Sequence, residues 1–150
     1  MQNFSATSDA ELIALETGVL DPGAFPHREH VRFGYGMLER YPFGEAVNRF
    51  SRGLRLLAVK AGRPEVYHET ITIAFLALIN ERRARLGFQN WDEFKATNGD
   101  LFDKHCLERW YDAEQLGSDL ARRTFCLPSR SGPASVGPTE RQRRFQLAAP

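Results

Sequence analysis

Four histidines carry most of the chemistry this sequence could perform: His27, His30, His68 and His105. His27 and His30 stand three apart in His27-Arg28-Glu29-His30, a spacing that puts both on one face of a helix. That face continues through Val31, Gly34, Leu38 and Tyr41, so it points inward. His68 lies in Tyr67-His68-Glu69-Thr70-Ile71-Thr72, and its face continues through Ile71, Thr72, Phe75 and Ile79. Inward imidazoles are costly unless they are satisfied. One divalent transition metal would satisfy three of them together, and neutral imidazole suits Zn, Fe, Cu and Ni alike. The expected ligand set is His27, His30, His68 and Glu69, with Glu69 alternatively orienting a histidine or acting as a general base. Such a set leaves coordination positions open for water, dioxygen or substrate. His105, next to Cys106, is a further ligand candidate, but a surface or packing role suits it better. Set against all of this is the plain alternative of hydrogen-bonded core histidines.

A second polar set surrounds the last helical segment: Tyr111, Asp112, Ser118 and Arg122. Asp112 fits a helix N-cap. Arg122 is either structural or a clamp for a substrate carboxylate near the metal. Tyr67 and Tyr35 could donate a phenolic proton into the same cavity or simply pack. The expected catalytic residues are therefore Glu69, Arg122 and Tyr67. Arg49, Arg52 and Arg55 read as a solvated basic strip. A cysteine nucleophile has little support, because Cys106 and His105 are adjacent and adjacent helical residues do not face each other. Phosphate-binding glycine loops and the Gly-x-Ser-x-Gly elbow are absent from the sequence.

Helices must position these groups. Ser8-Asp9-Ala10-Glu11 is a capping box opening a helix that Gly18 stops. Pro26 marks the start of a second helix over 27–41, ended by Pro42. A third spans 43–61, with Phe43, Val47, Phe50, Leu54, Leu57 and Ala61 on one stripe and Gly62 as its cap. A fourth is expected from Pro64 to Leu86, stopped by Gly87. Its middle, Ile71 to Ile79, is apolar nearly all round, the mark of a buried central helix. Shorter helices are expected over 91–96, 101–111 and 113–125. Alternating strand patterns are missing. The fold class is all-α: a single compact domain of six to seven helices over 1–128, followed by an irregular tail over 129–150.

The 150 residues suit one domain. A net charge of +1 argues against a dedicated nucleic-acid partner. The tail holds four Arg and one Glu and reads as flexible and basic, or as docking through Phe145 and Leu147. Seventeen arginines against three lysines carry no functional reading. Two cysteines are too few for a disulfide framework, which with the lack of a signal sequence or membrane span points to the cytoplasm.

Three blocks together resemble a known pattern. They are Phe25-Pro26-His27-Arg28-Glu29-His30-Val31, then Tyr67-His68-Glu69-Thr70-Ile71-Thr72, then Trp110-Tyr111-Asp112 through Leu116, Ser118, Ala121-Arg122, Phe125 and Pro128. Over 25–128 the chain resembles an uncharacterised bacterial family of short helical proteins. The resemblance supplies no reaction, but it is written in polar residues rather than in the apolar positions of a fold-only pattern. It departs after Pro128, where the pattern expects an acid and Ser129 stands. The reading favoured by the sequence is a metal-dependent enzyme acting on a small polar substrate, hydrolytic with Zn and oxidative with Fe. Its alternatives are a non-catalytic metal- or ligand-binding module and a helical interaction protein. A homodimer is compatible with each.

Overall fold

The computed structural model describes residues 5–87 and 90–130. These form seven helices: α1 (Asp9–Glu16), α2 (His27–Arg40), α3 (Phe43–Lys60), α4 (Glu69–Leu86), α5 (Trp91–Thr97), α6 (Ala113–Leu116) and α7 (Asp119–Arg123). Four 3-10 turns, Pro22–Ala24, Pro64–Val66, Gly99–Phe102 and Cys106–Arg109, join them, and no strand occurs among the described residues. The all-α expectation therefore holds. None of these helices is long and apolar enough to cross a membrane.

The helix starts and stops follow from local chemistry. Ser8 and Glu11 form the reciprocal capping box of α1. Gly18, Gly62 and Gly87 all adopt positive φ, the left-handed conformation that terminates helices at least cost for glycine. In the core, α2 and α3 lie against α4, and α1 covers α2 and α3. Gly34 of α2 is the point of close approach, since a Cβ there would stand 3.1 Å from Leu76 of α4. Gly36 instead admits Thr7 from the segment ahead of α1.

Three expected elements are corrected. The fourth helix begins at Glu69, not Pro64: Pro64–Val66 is a 3-10 turn and His68 is the N-cap. The helix expected over 101–111 is two 3-10 turns. Between them Asp103 Oδ1 accepts the His105 amide at 2.9 Å, a side-chain turn that competes with helix. The helix expected over 113–125 breaks at Gly117, and Ser118 caps the second piece by accepting the Ala121 amide. Asp112 makes no cap bond. Its carboxylate binds Ser129 and Arg130 instead. Residues 131–150 lie outside the described residues, and the expectations for the basic tail, Phe145 and Leu147 fall there.

The arginine strip on α3 is solvated at Arg52 and Arg55, both exposed, while half-buried Arg49 pairs with Glu16 and Glu45 and Arg55 pairs with Glu69.

Candidate functional site

A cavity of about 650 Å³ opens at the N-terminal end of α4. All four histidines line it, although they arrive from three separate stretches of chain. Leu54, Leu57 and Ala58 of α3 form one wall, and Ile71 and Phe75 of α4 another. Lys104, His105 and Glu108 line it from exposed positions at its mouth.

His27 and His30 enter from the first turn of α2. Their ring centroids lie 6.3 Å apart. His27 packs on Phe75 and His30 on Phe25, with centroids 5.0 and 4.8 Å apart. His27 Nε2 donates to the Leu101 carbonyl at 2.8 Å. A carbonyl only accepts, so in the neutral ring Nδ1 carries no proton. Burial pushes the His30 pKa down to about 4, and neighbouring His27 pushes it the same way. A hydrogen bond to the Phe25 backbone and the charge of Glu29 oppose this without prevailing. His30 is thus a neutral imidazole at ordinary pH.

His68 is committed at both nitrogens. Nε2 donates to the Leu116 carbonyl at 2.7 Å, and Nδ1 accepts the Ile71 amide at 3.1 Å. The second bond is an N-cap made by an imidazole, in place of the usual Ser, Thr, Asp or Asn. Burial lowers the His68 pKa and nearby Arg122 adds to this, while the Leu116 carbonyl opposes it. Loss of either ring bond would leave a backbone group of α4 or α6 to find another partner.

Glu69 turns to the other side. Its Oε2 accepts from Arg55 Nη2 and from the Tyr67 hydroxyl, both at 2.6 Å. The Arg55 guanidinium also stacks 4.5 Å over the Tyr67 ring. Burial first, then the bond to Glu69, pushes the Tyr67 pKa up to about 12. Tyr67 lines the cavity with its proton already given to Glu69. Arg122 donates to the Glu65 carbonyl at 3.0 Å and so fastens the turn that precedes His68. Thr72 lines the cavity and donates its hydroxyl proton to the His68 carbonyl at 2.7 Å. Tyr35 is remote from the cavity, enclosed by Trp91, Phe94 and the Arg83 guanidinium.

The four-residue ligand set expected from sequence does not fit this arrangement. The structure brings His27, His30, His68 and His105 to one cavity. It does not bring Glu69, and it leaves His68 no bare nitrogen. Among the described residues no group of three or more His, Cys, Asp or Glu side chains could hold a metal ion. The physical reason is the N-cap. A histidine one residue ahead of a helix aims Nδ1 at that helix's own amides, whereas the sequence reading had placed His68 within the helix.

Sequence reasoning missed the acceptors that orient the rings. The Leu101 and Leu116 carbonyls are backbone groups in irregular segments, and no residue type announces them. It also missed the α3 wall, although Leu54 and Leu57 were legible as part of an apolar stripe. Compared with known proteins, the chain matches no family model, no curated protein and no solved structure.

Proposed function

We propose that the protein binds a small, largely apolar organic molecule in the histidine-lined cavity. One observation carries this reading: a hollow of about 650 Å³ lies beside the most apolar stretch of the chain, where close packing is the rule. Sites for small organic ligands have volumes of about 300–1,000 Å³, apolar walls and a few placed polar groups. Leu54, Leu57, Ala58, Ile71 and Phe75 supply such a wall. This favours an apolar ligand over the small polar substrate expected from sequence. A thermal-shift screen with biphenyl- and naphthalene-sized compounds tests it. Binding compounds raise the Tm of the native protein but not of Ala58→Leu, whose added methyl groups intrude on the cavity. A screen without any such shift would remove the reading.

A metal-dependent enzyme at the same cavity is the second reading, hydrolytic with Zn and oxidative with Fe. The observation in its favour is that His27 and His30 each direct a ring N–H to backbone, the arrangement that fixes the tautomer of metal-ligating histidines. His68 would have to release Leu116 or Ile71, and Glu69 would have to leave Arg55, before either could join. Metal content of untagged protein, beside His27→Ala and His30→Ala, decides this reading. About one Zn, Fe, Cu or Ni per chain, lost in both variants, supports it. No uptake on titration with these ions removes it.

The resemblance to a bacterial family and a cytoplasmic setting belong to the same proposal. Of the polar residues that carry the resemblance, His27, His30, His68 and Thr72 line the cavity. Glu69, Ser118 and Arg122 hold the segments around it.

A further inference from the structure

We infer that the cavity selects an uncharged ligand that donates a hydrogen bond, an apolar alcohol or phenol, over the matching ether or carboxylate. This rests on the cavity reading above and names the chemistry of its ligand.

The inference follows from where the protons are. His27 gives its ring proton to the Leu101 carbonyl. His30 is neutral and hydrogen-bonded to the Phe25 backbone. His68 gives its proton to Leu116 and fills its other nitrogen with the Ile71 amide. Thr72 gives its proton to the His68 carbonyl, and Tyr67 gives its own to Glu69. Every polar side chain of the interior has therefore spent its donor on the protein. What remains with neutral rings are lone pairs, on His27 Nδ1, on one nitrogen of His30 and on the two hydroxyl oxygens. These acceptors are not sealed away. Thr7 Oγ1 is the sole buried side-chain polar atom without a partner among the described residues, and it lies away from the cavity against Gly36.

A surface of lone pairs welcomes a hydroxyl proton and repels a carboxylate. It offers nothing to an ether oxygen. A cation would match the lone pairs but would lack a counter-charge beside them, because Glu69 is held by Arg55 and Glu108 stands exposed at the mouth. The rival anchor is Lys104, which lines the mouth from an exposed position and has no ion-pair partner among the described residues. An anionic ligand held there would reverse the preference.

Isothermal titration at pH 7.5 with 4-phenylphenol, 4-methoxybiphenyl and biphenyl-4-carboxylate separates these outcomes. The phenol is expected to bind about tenfold or more tighter than either analogue. In His30→Phe that advantage shrinks while ether affinity stays the same. Thr72→Val gives a second variant, with circular dichroism confirming the fold of both. Equal binding of phenol and ether would overturn the inference and leave the cavity reading standing. So would tightest binding by the carboxylate, lost in Lys104→Ala. Failure of all three to bind would remove both readings.

Discussion

The two stretches of α4 that face α2 behave differently. From its middle onward, Leu76 and Ile79 are 0% and 1% exposed, and Gly34 brings α2 against them. Polar groups there are closed as well: Arg82 makes paired bonds to Asp100 at 2.6 and 2.7 Å, and Arg83 donates to the Leu38 carbonyl. At the N-terminal half, α2 presents His27 and His30 instead of glycine, and the helices leave a cavity. The difference teaches that one helix supports both a packed core and a cavity. What decides is the size and polarity of the facing residue, not the helix itself.

Truncation should break this comparison most strongly. Leu76→Ala is expected to cost about 3–4 kcal/mol, within the range for fully buried leucine. Leu57→Ala, facing space that already exists, should cost about half as much or less. Urea unfolding of the two variants measures the gap, and equal losses would mean that the cavity wall is packed as tightly as the core.

Between pH 7 and 4 acid should act mainly on the open end. His30 has a pKa of about 4 in the folded protein against 6.5 as its ordinary value. Between those values the unfolded chain binds the proton and the folded one does not, so stability falls as pH drops from 6.5 towards 4. The full contribution is about 3 kcal/mol for a shift of this size. His68 is shifted in the same direction by burial and adds to the loss. Denaturant melts from pH 7 to 4 should show a steep decline in the native protein and a shallower one in His30→Phe. Matching slopes would contradict a buried neutral His30.

Smaller effects sharpen the contrast. Ala58→Leu should change stability by less than about 1 kcal/mol, because its added volume enters the hollow rather than a packed region. Arg82→Ala, at the closed end, should cost about 1 kcal/mol, since Asp100 is partly exposed and water replaces part of the pair. Thermal unfolding resolves both values. Only the first variant should alter binding of an apolar ligand.

Much of the fold was legible because helix ends are written locally. The Ser8–Glu11 box and the stops at Gly18, Gly62 and Gly87 need only neighbouring residues. The histidine cluster was partly legible, since the spacing of His27 and His30 sets their common face whatever packs against it. His68 reached the same cavity by a route that spacing hides. Its role depends on α4 starting at Glu69, which the 3-10 turn at Pro64–Val66 decides. Glu69 was misplaced for a related reason. The pull of Arg55, 14 positions earlier on α3, appears only once the two helices are adjacent. The short segments after Asn98 were least legible. Their conformation is set by side-chain bonds to backbone at Asp103 and Ser118, which compete with helix at positions where the apolar pattern continues.

Thr70 gives the chain an order of assembly. Its hydroxyl donates to the Thr124 carbonyl at 2.8 Å and accepts the Cys126 amide at 3.0 Å. Tyr111 then donates to the Cys126 carbonyl, and Gln115 to that of Leu127. The start of α4 is thus fastened by residues more than fifty positions downstream, whereas α1, α2 and α3 meet through short connections. Distant contacts form late, after the entropy of closing the intervening loop has been met. During synthesis on the ribosome the first three helices can settle while this latch is still unmade. The start of α4 is fully fastened only when residues 124–126 have emerged and bonded to Thr70.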